Sequence, residues 1–297
     1  MLLRRAQLTL LLAAVIPTGL LTATGIILLT LGSGSRVANI VVGVLVLAFC
    51  ASALTGYLLG SIFMGRSADL ARVQNDFLSS VSHELRTPLT SVRMFIETLR
   101  EERVTDPAER ERVLALLQRE MRRHEALVDR LIDLSKIESG RRAFKREPVK
   151  MADVVADALI GLEAATLGVN VVVTTEIEDG LEVVGDRDAL CQAVVNLLVN
   201  AHKYSGTEEK IRLLVRANGK KVELTVEDNG PGIPWSEQKQ IFDKFERGRA
   251  AVEDGKEGSG LGLAIVQAIV RAHQGSVSVR SDSRSGTAFS ILLPRVV

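Results

Sequence analysis

Residues 80–92 read SVSHELRTPLTSV and set one histidine, His83, beside Glu84, with Thr87 four positions on and Pro88 next to it. At 100° per helical residue, Val81 and Leu85 each lie about 200° from His83, so a helix that buries those two aliphatics presents the imidazole to solvent. Thr87 then stands one turn above it on the same face. An exposed imidazole is a nitrogen nucleophile and a proton acceptor near neutral pH. Pro88 has no N–H and its ring meets the carbonyl of residue 84, so a bend is expected beside the histidine. The competing reading is an ordinary surface histidine next to a tolerated kink, and other parts of the chain decide between them.

A second set of residues lies far downstream. In DRDALCQAVVNLLVNAHKYS, Asn196 and Asn200 are four apart and are followed by Lys203 and Tyr204, one polar stripe on an otherwise apolar helix. Buried asparagines need partners: either neighbouring backbone, or a ligand to which their carbonyl oxygens offer a site for a hard cation such as Mg²⁺. Lys203 offers a point charge to phosphate. In VELTVEDNGPGI, Asp228 stands where a strand meets a glycine turn, and Gly230 and Gly232 let a flat ligand approach the backbone. By itself this motif is a common turn. In GSGLGLAIV, Gly258, Gly260 and Gly262 lead into an apolar helix whose free N–H groups suit phosphate oxygens.

These residues need particular elements to hold them. Leu70, Val73, Phe77, Val81, Leu85, Leu89, Val92, Phe95 and Leu99 recur at spacings of three and four, which predicts an amphipathic helix through His83. After VTDPAER, where Asp106 and Pro107 supply a cap and a first turn, Val113, Leu117, Met121, Val128, Leu131, Leu134 and Ile137 repeat the pattern. Two such helices cannot bury their stripes alone, so pairing with a second copy into a four-helix bundle is expected. The connector SGRRAFKREPVK leads to a C-terminal module with helices over 151–164, 186–204 and 262–273. Strands are expected in VNVVVTTEI, KIRLLVRA, KKVELTVEDN, GSVSVRSDS and GTAFSILLP. That order favours an α+β sandwich over a doubly wound parallel sheet. The charged stretch containing IFDKFERG reads as a long loop between Phe242 and Phe245 anchors and the glycine turn, a lid or a connector.

Composition sets the surroundings. The 297 residues are 46% hydrophobic and 25% charged with net charge +1, which excludes disorder and nucleic-acid binding through bulk charge. Cys50 and Cys191 are far apart and show no metal or redox spacing. No charge occurs over 7–31 or 37–64, and each stretch exceeds the roughly 20 residues that cross a bilayer core. With only GSGSR between them, a transmembrane hairpin is expected rather than a cleaved signal peptide. Arg4, Arg5, Arg66 and Arg72 outweigh Arg36 at the tip, placing both termini in the cytoplasm.

The ordered set HELRTPL, NxxxNAxKY, DNGPGI, FDKF and GSGLGL resembles the sensor histidine kinases of bacterial two-component systems from about Phe77 to the end. The resemblance implies a multidomain chain: a membrane anchor over 1–66, a dimeric phosphotransfer hairpin over 67–139, a linker over 140–148, and an ATP-binding α/β sandwich over 149–297. It implies an ATP-dependent protein-histidine kinase in which His83 accepts the γ-phosphate, Glu84 orients or deprotonates the ring, and Thr87 aligns water for dephosphorylation of a partner regulator. Asn200 would hold Mg²⁺ with Asn196 in support. Lys203 would contact phosphate, Tyr204 would pack on adenine and Asp228 would read its amino group. Gly230, Gly232, Gly258, Gly260, Leu261 and Gly262 would shape the ATP pocket and lid, and Lys244 stands where many members carry arginine near the γ-phosphate.

The same likeness implies a homodimer in the bacterial cell membrane that passes phosphate to an aspartate of a cytoplasmic response regulator, with no nucleic-acid partner. Many members insert a relay domain between membrane and bundle, whereas only a dozen or so residues separate Met64 from Phe77 here. Input is therefore expected from membrane lipid or a membrane protein. An ATP-binding scaffold, or a member dominated by phosphatase activity, is the alternative reading.

Overall fold

The computed structural model describes residues 18–19, 21–27, 30, 36–101, 106–166, 169, 171–205, 210–246, 248, 258–282 and 286–296, with the side chains of 36–39, 59, 61–78, 80, 83, 84 and 87 left aside. The chain forms two compact units, Met1–Ser79 and Ser80–Val297.

In the first unit, residues 18–19, 21–27 and 30 are helical, and helix α1 (Arg36–Arg100) begins. The first part of the expected apolar span 7–31 lies outside the described residues. Within α1, Ile40–Leu58 is 19 residues long with mean hydropathy 2.2, long and apolar enough to cross a membrane. Its large side chains, among them Ile40, Val44, Leu45 and Phe49, are exposed. Thr22 Oγ1 donates to Cys50 Sγ at 3.2 Å, the Cys50 thiol donates to the Thr18 carbonyl at 3.4 Å, and Gly25 packs against Val46. Contacts that climb one helix while descending the other are those of antiparallel neighbours.

In the second unit, α1 continues helical through Pro88, whose ring is buried. The proline therefore does not end the helix. Helix α2 (Pro107–Glu138) starts as its sequence dictates: Asp106 Oδ2 accepts from Glu109 N–H at 3.2 Å with Pro107 in the first turn. Its apolar stripe departs from expectation at the C-terminal end. Leu134 and Ile137 were expected on a bundle seam, yet they join Leu127 in the core of the C-terminal module, where Leu134 is 1% exposed. Periodicity marks the apolar face of a helix but does not say what will cover it. Leu89, Met94, Ile96, Leu116, Met121 and Ile132 remain exposed.

The C-terminal module contains strand β1 (Glu147–Lys150), helix α3 (Met151–Ala165), strands β2 (Val173–Ile177) and β3 (Glu182–Gly185), and helix α4 (Arg187–Tyr204). Strands β4 (Ile211–Asn218) and β5 (Lys221–Asp228), a 3-10 turn (Gln240–Phe242), helix α5 (Gly262–Ala272) and strands β6 (Ser276–Asp282) and β7 (Gly286–Pro294) follow. The main sheet runs β2-β4-β5-β7-β6, parallel between β2 and β4 and antiparallel elsewhere. Helices α4 and α5 pack on it, and α3 packs on α4, the α+β layering expected. Strands β1 and β3, absent from the sequence reading, pair antiparallel as a separate two-stranded sheet, so that β1 begins inside the basic connector.

One buried polar cluster ties these layers together. The Asp186 carboxylate caps α4 by accepting from Ala189 N–H at 3.1 Å and also accepts from Lys145 N–H at 3.1 Å. Its own N–H donates to His273 Nε2 at 3.0 Å. Because a backbone N–H can only donate, Nε2 accepts, which leaves Nδ1 to donate to the Ile269 carbonyl at 2.8 Å. Burial pushes the Asp186 carboxyl up, but the bonds from Ala189 and Lys145 outweigh it and hold the pKa below the usual carboxylate value. A depressed folded-state pKa means that this stabilisation is present above the unfolded carboxylate pKa and is lost as pH falls through the lower folded value. Asp186→Ala is expected to cost about 2 kcal/mol, the upper range for a lost cap. Urea unfolding at neutral pH measures it, and the gap from wild type should narrow under strongly acidic conditions.

Candidate functional site

Alternation along β5 buries Val222, Leu224, Val226 and then Asp228, so the carboxylate arrives on the core-facing side of the sheet at its end. It is 8% exposed, and its Oδ1 accepts from Gly230 N–H at 2.8 Å. Thr287, its cross-strand partner on β7, is also buried. A carboxylate fixed in this way on a cleft wall can accept from a donor on a ligand.

The facing wall is α4. Asn196, Asn200, Lys203 and Tyr204 line the same cleft as Asp228, so the stripe expected from spacing is realised. Asn196 Nδ2 donates to the Gln192 carbonyl at 2.9 Å, which orients its Oδ1 toward Gly262 at the start of α5. Lys203 Nζ donates to Tyr204 Oη at 2.8 Å and lies 4.5 Å from the centre of that ring. Adjacent side chains thus carry a cation and an aromatic face into the cleft together.

The glycine turn closes the third side. Gly258, Gly260 and Gly262 all line the cleft. A side chain at Gly258 would begin 2.5 Å from Lys203 Nζ, so any larger residue would displace the mobile end of that lysine from the turn. Gly260 has φ +65°, and a Cβ there would strike the Phe245 backbone at 2.6 Å. Phe245 N–H donates to the Gly260 carbonyl at 3.1 Å, tying the IFDKF segment to the turn. Leu261 faces the other way and is fully buried in the core, where it anchors the turn instead of lining the cleft.

The remaining expected residues stand at different distances from the cleft. Gly232 lines the cleft, whereas Gly230 acts beside it, where a Cβ would collide with the Tyr204 carbonyl at 2.6 Å. Lys244 is not on the lining, and its Nζ pairs with Glu138 Oε2 of α2 at 2.7 Å. His83, Glu84 and Thr87 lie in α1, and their side chains are outside the described residues. Sequence reading did not single out Arg130, Thr287, Glu237, Glu246 or Ser259, all of which line the cleft. Ser259 sits inside the quoted glycine motif, a signal that was available, and its Oγ is buried with no hydrogen-bond partner among the described residues.

The cleft, with about 1260 Å³ of open space including its mouth, suits a phosphate-bearing ligand with a flat ring system. An orphaned serine hydroxyl, a lysine and a glycine turn ahead of a helix are the donors that phosphate oxygens use. Among the described residues no cluster of three or more His, Cys, Asp or Glu side chains could hold a metal ion. The asparagine carbonyl oxygens are neutral hard ligands, so they fit Mg²⁺ only if phosphates complete its shell.

Comparison with known proteins gives this cleft its context. Residues 185–297 match the family described as "Histidine kinase-, DNA gyrase B-, and HSP90-like ATPase", and residues 73–140 match "His Kinase A (phospho-acceptor) domain". The chain belongs to the sensor histidine kinases of two-component systems. "Sensor-like histidine kinase SenX3" of Mycobacterium tuberculosis is 31% identical over 242 residues, covering 80% of this chain. The sensor kinase chain spans 58% of the length of SenX3. "Acinetobacter baumannii histidine kinase AdeS" matches at 26% identity and TM-score 0.59, over 71% of this chain and 97% of that one. The histidine kinase ThkA, solved in complex with response regulator protein TrrA, shares the fold at TM-score 0.63 and 22% identity, over 77% of this chain and 64% of that one. Both the helical region and the α/β module of the kinase family are thus present in one chain.

Proposed function

We propose that the chain is a membrane-bound sensor histidine kinase that transfers the γ-phosphoryl group of ATP to His83 and from there to an aspartate of a response regulator, and that also dephosphorylates that regulator. The observation that carries this reading is the convergence of Asn196, Asn200, Lys203, Asp228 and the 258–262 turn on one cleft in a chain that also bears a phosphoacceptor helix. Phosphoryl transfer asks mainly for positioning and charge neutralisation, which these groups supply. In this reading an imidazole nitrogen of His83 bonds to the γ-phosphorus as its bond to the bridging oxygen breaks, and ADP leaves. Glu84 orients or deprotonates the ring, and Thr87 aligns water in the phosphatase reaction. Asp228 accepts from the adenine amino group and Tyr204 packs on the base. Lys203 and Ser259 hold phosphate. Asn200, supported by Asn196, would hold Mg²⁺, which neutralises phosphate charge when bound. Lys244 serves the γ-phosphate once released from Glu138.

The domain bounds we assign are 1–66 for the anchor, 67–139 for the phosphotransfer hairpin, 140–148 for the linker and 149–297 for the ATPase module. The antiparallel contacts of residues 18–25 with α1 support a two-helix transmembrane hairpin. Arg4, Arg5, Arg66 and Arg72 against Arg36 support cytoplasmic termini, and the short interval from Met64 to Phe77 supports input from lipid or a membrane partner. The exposed Leu89, Met94, Ile96, Leu116 and Met121 support a homodimer that covers them. Incubation of the full chain in detergent with γ-labelled ATP and Mg²⁺ tests the reading: label that is lost in acid and stable in base is expected, and its absence in a chain that binds ATP would refute kinase activity.

A further inference from the structure

Among the described residues, most of the cleft is built from the ATPase module, but Arg130 is not. Arg130 lies on α2, in the helical hairpin, and it lines the cleft together with Asn196, Lys203, Gly258 and Gly262. Its position is fixed by its neighbours. Leu127 and Leu134, three residues before it and four after it, are 8% and 1% exposed and belong to the module's core. At 100° per residue these three share one face of α2, so the face that docks on the module carries Arg130 with it. Helix α2 packs against α5, the helix that the glycine turn leads into, so the guanidinium enters from the wall that offers N–H groups to phosphate.

Charge makes the position informative. Among the described residues, the lining carries the cations Lys203 and Arg130 against the carboxylates of Asp228, Glu237 and Glu246. Lys203 already donates to Tyr204 Oη. No hydrogen bond or ion pair of Arg130 occurs among the described residues, although Glu138 and Arg142 nearby are paired with Lys244 and Asp133. An arginine placed against a binding cleft without a protein partner is suited to a planar, bidentate contact with a phosphate.

We propose that Arg130 is a positioning residue supplied by the helical hairpin, which contacts the phosphates of the bound nucleotide and thereby links nucleotide binding to the docking of the ATPase module on α2. This inference rests on the nucleotide reading of the cleft. With the module docked, the phosphates meet a guanidinium that the isolated module lacks. By linkage, a phosphate-bearing nucleotide holds the module against α2 by the same factor that docking adds to its affinity. Adenosine, which lacks phosphate, binds without this coupling and leaves docking unchanged.

The test uses the full chain in detergent, with ATP, ADP and adenosine titrated against wild type, Arg130→Ala and Arg130→Lys. Arg130→Ala is expected to weaken ATP and ADP about tenfold, the scale of one charge-assisted contact, with adenosine unchanged. Arg130→Lys should recover part of the loss. Amide exchange over residues 127–137 should slow on addition of ATP in wild type but not in Arg130→Ala. Equal ATP affinity in wild type and Arg130→Ala would overturn the proposal, as would an equal loss for adenosine, which marks a structural role. If wild type bound no nucleotide, the reading of the cleft would fall together with this inference. Normal binding by wild type with an indifferent Arg130→Ala would remove only the inference.

Discussion

His83→Gln is expected to abolish incorporation of label from γ-labelled ATP while leaving ATP affinity unchanged. Glutamine keeps a polar side chain of similar length on the helix, but its amide nitrogen is not nucleophilic, whereas a neutral imidazole nitrogen carries an available lone pair. Among the described residues, the cleft draws its lining from α2 and the C-terminal module. Separate loss of transfer and retention of binding is therefore the signature of a nucleophile. Filter-bound label after alkaline and acid treatment, measured beside fluorescent nucleotide titration, checks both halves. Undiminished acid-labile label in His83→Gln would place the acceptor elsewhere, and His124, His202 and His273 are the other histidines of the chain.

Asp228→Ala is expected to weaken ATP by about 100-fold, the equivalent of a charge-assisted hydrogen bond worth about 3 kcal/mol. The reason lies in how the carboxylate is held. Gly230 N–H donates to Oδ1 at 2.8 Å, which fixes the carboxylate on the cleft wall, where it can accept from a donor on the ligand. Adenine offers a donor amino group where guanine offers an acceptor oxygen, so the same contact selects ATP over GTP. Asp228→Asn separates the effects, because its carbonyl oxygen still accepts from Gly230 and preserves the turn. Its thermal unfolding should match wild type more closely than that of Asp228→Ala, with ATP affinity still reduced. Titration with ATP and GTP measures the selectivity, and an unaltered ATP preference in both variants would remove Asp228 from base recognition.

Much of this site was legible in the chain because it depends on short-range geometry. A four-residue interval puts Asn196 and Asn200 on one helical face wherever the helix packs. Strict alternation from Val222 puts Asp228 on the inward side of β5. Asp106 followed by Pro107 starts α2 on local chemistry alone. The apolar stretch that became Ile40–Leu58 declared itself by composition. The small β1–β3 sheet was missed because each strand is only four residues long, too short for a two-residue period to stand out.

What the sequence by itself determined, then, is which residues share a face, where helices begin, and which motifs point to nucleotide chemistry. Only the tertiary structure decided what each face meets. Leu134 turned from an expected bundle seam into the core of the ATPase module, Lys244 met Glu138 across 106 positions, and Arg130 reached a cleft formed largely by residues 196–287. Periodicity is a property of one element, fixed by backbone geometry. Partnership is settled by packing among elements distant in sequence, and no local pattern encodes which of several apolar surfaces a helix will cover.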